Sequence, residues 1–205
     1  MKIILEHIGR RFNREWIFRN INYEFESGSS YAVLGSNGAG KSTLLQVISG
    51  SLSSSEGKIS YLHGDTNIDQ ENVFIHQSMA APYLELIEEF TLTELIDFHF
   101  RFKKYRQGLN RQGVIELLGL KNSEFKAIKY FSSGMKQRVK LALAFCSDTA
   151  MLLLDEPASN LDQQGLDWYL SLASTFSSDR LLIICSNQEQ EYSFCSHNLN
   201  IADYK

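Results

Sequence analysis

The run Gly35-Ser36-Asn37-Gly38-Ala39-Gly40-Lys41-Ser42-Thr43 has the spacing G-x-x-x-x-G-K-[ST] of a phosphate-binding loop. Gly35, Gly38 and Gly40 let the backbone curl into torsions that a side chain would resist. The turned backbone then aims several N–H groups at one point, a nest for phosphate oxygens. Lys41 adds a positive charge for the terminal phosphates, and the Ser42 hydroxyl can ligate magnesium. A second constellation is Asp155-Glu156, which closes the apolar run Met151-Leu152-Leu153-Leu154. Two carboxylates at the end of a strand can share the work: Asp155 in the shell of a magnesium ion, Glu156 polarising an attacking water. Alone, each pattern has a plainer reading, a glycine turn capping a helix or a buried strand with acidic punctuation. Together they predict a nucleoside triphosphate site.

The elements that must position these groups are legible beside them. Ser30 to Leu34 reads as a buried strand feeding the loop, and Thr43 to Ile48 as the helix leaving it. Met151 to Leu154 and Leu181 to Ser186 read as further buried strands. Lys2 to Ile8 and Trp16 to Phe25 alternate as an antiparallel pair. Between Gln77 and Ser132 the pattern turns helical. Thr91-Leu92-Thr93-Glu94 is a capping box opening one helix, and Arg111 to Leu118 is a second, with Gly119 as its stop. Ser51 to Ser55 reads as a surface loop.

A third constellation gives the chain a family resemblance. Phe131-Ser132-Ser133-Gly134-Met135-Lys136-Gln137-Arg138 runs into the apolar helix Val139 to Phe145. It resembles the LSGGQ signature of ATP-binding cassette (ABC) ATPases. Ser159-Asn160-Leu161-Asp162 resembles that family's D-loop. Gln77, after Val73-Phe74-Ile75, resembles its Q-loop glutamine, a ligand of magnesium and part of the catalytic set. The resemblance covers the chain from about residue 1 to 190. It implies an α/β P-loop core with an antiparallel β-subdomain and an inserted helical subdomain. Residues 1–205 would form one domain, with 1–77 and 151–205 in the core and β-subdomain and about 78–150 in the helical subdomain.

The family's working arrangement follows as an expectation. Ser132 and the backbone near Gly134, at a helix start, form a second anion-binding end that would touch the γ-phosphate on the opposite subunit. Ser132 is also an ordinary N-cap, and both roles can hold. Two chains would sandwich two ATP molecules with Mg2+. Phe12 stands where many members stack adenine, with Trp16 as competitor and core packing open for either. Three residues depart from the family pattern. Ser133 occupies the first glycine of the signature. Met135 replaces its glutamine, as in exporter-type cassettes, and Gly134 to Arg138 resembles export ATPases including the haem-exporter type. Asn187 stands in place of the switch histidine: an amide can donate a hydrogen bond to the γ-phosphate but carries no charge.

Composition limits the remaining choices. With 205 residues and 43% hydrophobic side chains the chain can build a sizeable core, with ten strands or so. The net charge of −4 argues against a broad nucleic-acid footprint. The basic stretch Arg101 to Arg106 reads as a solvated helix end or a contact surface. No stretch reaches the roughly 18 apolar residues of a spanning helix, and the N-terminus is too short in apolar residues for a signal peptide. Cys146, Cys185 and Cys195 lack metal spacing and suit a reducing cytosol. The five histidines show no ligand pattern.

These readings converge on the ATPase subunit of an ABC transporter, a homodimer docked through Gln77 and residues 78 to 106 on a separate membrane subunit. It would be cytoplasmic, peripheral on the inner face of the membrane. The chain stops soon after its last strand, so the regulatory C-terminal domain of some importers is not expected. The alternatives are a soluble cassette of the iron–sulfur assembly type and a weakly hydrolytic cassette that supports a partner.

Overall fold

The computed structural model describes residues 1–205, apart from the side chain of Lys121. Five strands build a parallel sheet: β3 (Ser30–Leu34), β6 (Gln77–Ala80), β7 (Met151–Asp155), β8 (Leu181–Cys185) and β9 (His197–Asn200), in the order β6-β7-β8-β3-β9. Both faces are covered, which is why β7 and β8 are apolar without alternation. Met151, Leu153, Leu181, Ile183 and Cys185 enter one core with Leu44, Leu45 and Ile48 of helix α1 (Lys41–Ile48). Leu152, Leu154, Leu182 and Ile184 enter another with Leu166, Tyr169 and Leu172 of α5 (Gln163–Phe176). The strand period of two thus assigns each residue to one layer.

The first core is closed from outside by an antiparallel sheet in the order β2-β1-β4-β5. Its strands are β1 (Lys2–Phe12), β2 (Glu15–Glu26), β4 (Glu56–His63) and β5 (Thr66–Ile68). The β1–β2 pair is the one expected, longer at both ends of its turn. Helices α2 (Leu92–His99), α3 (Arg111–Leu118) and α4 (Ser133–Cys146) pack on a third core through Leu95, Ile96, Val114, Ile115, Val139 and Leu143. Helix α4 belongs to two cores, because Leu141, Ala144 and Phe145 face the parallel sheet. It therefore links the helical segment to the sheet.

Local signals placed several ends correctly. Thr91 caps α2 through a reciprocal capping box with Glu94, and Gly119 ends α3 in the left-handed region at φ 68°. The apolar run Val73-Phe74-Ile75 before Gln77 is not a strand. It lies in a 3-10 helix, Gln70–His76, with Val73 buried but Phe74 59% and Ile75 54% exposed. The strand starts only at Gln77, so residues 77–80 belong to the parallel sheet. The basic stretch after α2 is not simply solvated. Lys103 donates to the carbonyls of Phe74 and Gln77, and Arg106 pairs with Asp179. Among the described residues, no helix is long and apolar enough to cross a membrane.

Candidate active site

Parallel strands bring their C-terminal ends to one edge, and chemistry in α/β sheets gathers there. Here β3 runs out into the P-loop, β7 into Asp155-Glu156, and β8 into Ser186-Asn187. In the P-loop, Lys41 is 5% exposed and donates to the carbonyls of Gly35 at 2.8 Å and Ser36 at 3.2 Å. These carbonyls hold the ammonium at the mouth of the loop. Gly40 adopts φ 104° just before α1, and a Cβ there would lie 2.4 Å from a methyl of Ile17. Only glycine allows that approach between loop and β2. Ala39 is buried beneath the loop, while Asn37 and Gly38 form its exposed tip. Thr43 follows in the first turn of α1.

Asp155 is 1% exposed. Burial pushes its carboxyl up; a hydrogen bond with the Ser42 side chain and the charge of Lys41 oppose this. Its Oδ1 is buried with no hydrogen-bond donor, which is costly for a carboxylate. A bare buried oxygen beside a hydroxyl, next to a phosphate cradle, fits the small oxygen-ligated Mg2+ ion, which takes one or two carboxylates plus phosphate oxygens. Glu156 follows with φ 44°, a conformation costly for a residue with a side chain and concentrated at functional sites. Two backbone bonds hold it, Glu156 N–H to the Cys185 carbonyl at 2.8 Å and Ser159 N–H to the Glu156 carbonyl at 3.0 Å. Asn187 is exposed, and its amide donates to Asn37 Oδ1 at 2.9 Å. The residue in the switch position thus reaches the P-loop itself.

Gln77 is not part of this constellation. It pairs with Met151, whereas Ala80 pairs with Leu154. That puts Gln77 at the opposite edge of the sheet, about 13 Å along the strand from the level of Asp155. Its amide donates to the Ser49 carbonyl at the far end of α1. The expectation of Gln77 as catalytic group and magnesium ligand is therefore corrected. The residues following β6 at the phosphate edge are Ala81, Pro82 and Tyr83. The Tyr83 phenol lies against the Gln46 side chain and close to Asp155; burial first, then that carboxylate, push its ionisation up. Lys140 of α4 fixes the turn by donating to the carbonyls of Ala81 and Pro82. Sequence reasoning passed over Tyr83. The signal is the register of β6 against β7, which no local motif carries.

The signature residues sit apart from the P-loop groups in a groove of about 340 Å³ lined by Ser132, Gly134, Met135, Asn160, Leu161 and Asp162, among others. Ser132 caps α4, its hydroxyl accepting from the Met135 N–H at 3.2 Å. Ser133 is the first residue of a regular helix, so its Cβ meets no obstacle of torsion. Gly134 passes close to the D-loop: a Cβ would lie 2.9 Å from the Asn160 carbonyl. Met135 packs against the third core, a physical reason for an apolar residue there. Phe12, at the end of β1, is 46% exposed with the Arg10 guanidinium 4.5 Å from its ring centre. Trp16 is half-buried and lies beneath Arg11 and Arg19.

Fold and site together define a P-loop nucleotide-binding α/β domain with a second helix-start groove. The family model described as "ABC transporter" matches residues 18–159, and the chain belongs to that family, as an ATPase of its ATP-binding cassette type. It is 32% identical over 197 residues to the energy-coupling factor transporter ATP-binding protein EcfA1 of Thermotoga maritima, covering 94% of this chain and 74% of the relative. It is 27% identical over 192 residues to the lantibiotic transport ATP-binding protein SrtF of Streptococcus pyogenes, covering 89% and 78%. The dimeric structure of MJ0796, a bacterial ABC transporter cassette, superposes with a TM-score of 0.82 at 19% identity, covering 97% of this chain and 94% of that one. The likeness in three dimensions is one of fold.

Proposed function

We propose that this chain binds ATP with Mg2+ in the P-loop and hydrolyses it as one half of a head-to-tail dimer that drives a separate membrane subunit. The observation that carries the reading is the meeting of Lys41, Ser42, Asp155, Glu156 and Asn187 at one sheet edge, while Ser132 and Gly134 open into a groove of their own. Gly35 to Thr43 cradle the phosphates. Ser42 and the unpartnered oxygen of Asp155 would hold Mg2+, which neutralises phosphate charge when bound. Glu156 orients and polarises the water, and Asn187 donates to the γ-phosphate from beside Asn37. Phe12, exposed with one face covered by Arg10, is better placed to stack adenine than Trp16, which its arginines enclose.

The second chain supplies the other half of the site. Ser132 and the N–H groups at the start of α4 would meet the γ-phosphate of the partner's ATP, so its loss on hydrolysis loosens the dimer. The dimeric cassette among the structural neighbours supports this arrangement. Docking on the membrane subunit is assigned to residues 78–106, where Leu84, Ile87, Phe98 and Phe102 are exposed. There Ile87, Phe98 and Phe102, with Leu86, Leu95 and His99, line a groove of about 380 Å³. Apolar side chains clustered on one face suit a protein partner. The chain would then sit at the cytoplasmic face of the membrane through that partner. The transport names of the relatives favour this over an iron–sulfur assembly role.

Phosphate release and calorimetric ATP titration test the reading. Lys41→Ala should weaken ATP binding about tenfold or more, the scale of a lost charge-assisted bond. Glu156→Gln should bind ATP as the wild type does and fail to turn it over. Unchanged affinity in a folded Lys41→Ala protein, or wild-type turnover in Glu156→Gln, contradicts it.

A further inference from the structure

Among the described residues, Asp155 and Glu191 are the two fully buried carboxylic acids. Asp155 is accounted for at the phosphate edge. Glu191 lies behind that edge in the one-turn helix α6 (Glu189–Tyr192) and is 0% exposed. Its Oε1 accepts from the Ala158 N–H at 3.1 Å, and the Tyr169 hydroxyl anchors its backbone carbonyl at 2.8 Å. Its Oε2 is buried without a partner, and the Ser186 side chain lies beside the carboxyl group. The Ser186 hydroxyl has only a weak acceptor elsewhere, the Gln188 carbonyl at 3.4 Å. That distance is long for an O–H···O bond, so the buried carboxyl oxygen is the better partner.

These contacts fall at two informative places. Ala158 lies in the turn from Glu156 to Ser159, which begins with Glu156 in a left-handed conformation. Ser186 directly precedes Asn187. We infer that Glu191 is a positioning residue for hydrolysis: its single buried carboxyl group ties the loop of Glu156 to the loop of Asn187, so that both meet the same phosphate. The inference rests on the roles given above to Glu156 and Asn187. Burial, with the charges of Glu156 and Asp155 adding to it, pushes the Glu191 carboxyl up, while Ser186 and the Ala158 N–H oppose the shift. With both oxygens as acceptors, the carboxyl group takes the Ala158 N–H on one side and the Ser186 hydroxyl on the other. A glutamine of the same shape keeps its carbonyl oxygen for Ala158 and can donate its NH2 to Ser186 Oγ, the hydroxyl then turning to the Gln188 carbonyl.

The test is steady-state phosphate release from MgATP by wild type, Glu191→Ala, Glu191→Gln, Ser186→Ala, Asn187→Ala and the double variant Glu191→Ala/Asn187→Ala. Glu191→Ala should lower kcat about tenfold or more with KM unchanged, the signature of a group felt only in the transition state. Glu191→Gln should stay within about threefold of wild type. The double variant should be no slower than about twofold below its slower parent, because residues acting as one unit are not additive. If Glu191→Ala does not fold, Ser186→Ala carries the same expectation with a smaller drop in kcat. Wild-type kcat in folded Glu191→Ala, a Gln variant as slow as Ala, a change in KM alone, or multiplicative losses in the double variant would each overturn the inference. Glu156→Gln is run alongside. If it hydrolyses ATP like wild type, the reading of the site falls and the inference with it. If it is inactive while Glu191→Ala is unaffected, the inference alone falls.

Discussion

In the proposed site Asn187 is the residue whose type would tune the chemistry. Its amide reaches the P-loop through Asn37, so it can help hold water and phosphate in line. It cannot offer the positive charge of an imidazolium to the developing transition state. Asn187→Ala should lower turnover about ten- to a hundredfold, roughly 1.4–2.7 kcal/mol of barrier. Asn187→His should hold or raise the rate. Phosphate release at saturating ATP decides it; an alanine variant as fast as wild type makes the residue a bystander. At this scale the P-loop, Asp155 and Glu156 were legible because phosphate chemistry needs them contiguous in the chain. Gln77 was misplaced because a glutamine after three apolar residues looks alike at either end of a strand. Tyr83 and Glu191 were invisible for a related reason: Asp155 and Ala158 come close to them only through the sheet.

Elements were easier to read than their neighbours' contacts. The capping box at Thr91 and the stop at Gly119 are local chemistry, and both appear as expected. Thr91→Ala removes one side of the box and should cost about 1 kcal/mol of stability, measured by urea unfolding. No change in midpoint would show that tertiary packing alone sets the start of α2. The end of α2 carries a contact that periodicity could not show. The Ser147 hydroxyl donates to the Leu143 carbonyl, so His99 Nε2, 2.9 Å from Ser147 Oγ, must donate its proton there. Burial, with Lys103 adding to it, holds the imidazole down at about 4. Between that value and the ordinary 6.5, the unfolded chain binds more protons than the folded one. Stability is therefore full above about pH 6.5 and falls as pH drops toward 4. Thermal midpoints across this range should decline in wild type and flatten in His99→Gln; equal slopes in the two would remove His99 as the cause.

In the proposed dimer the whole molecule carries two half-sites. Helix α4 packs on both the parallel sheet and the helical core, so it joins Ser132 and Gly134 at its start to the sheet that carries the P-loop. One chain presents both halves, and two chains can complete two sites. The layered α/β architecture was legible from buried strands and one glycine loop, but the pairing of half-sites across a dimer lies outside any single chain. In the proposed cycle bound ATP joins two copies of this chain and hydrolysis releases them. Light scattering on Glu156→Gln during size-exclusion chromatography tests it most directly, with saturating MgATP in one run and MgADP in the other. A dimer with ATP and a monomer with ADP are expected. A monomer under saturating ATP at high protein concentration would contradict it.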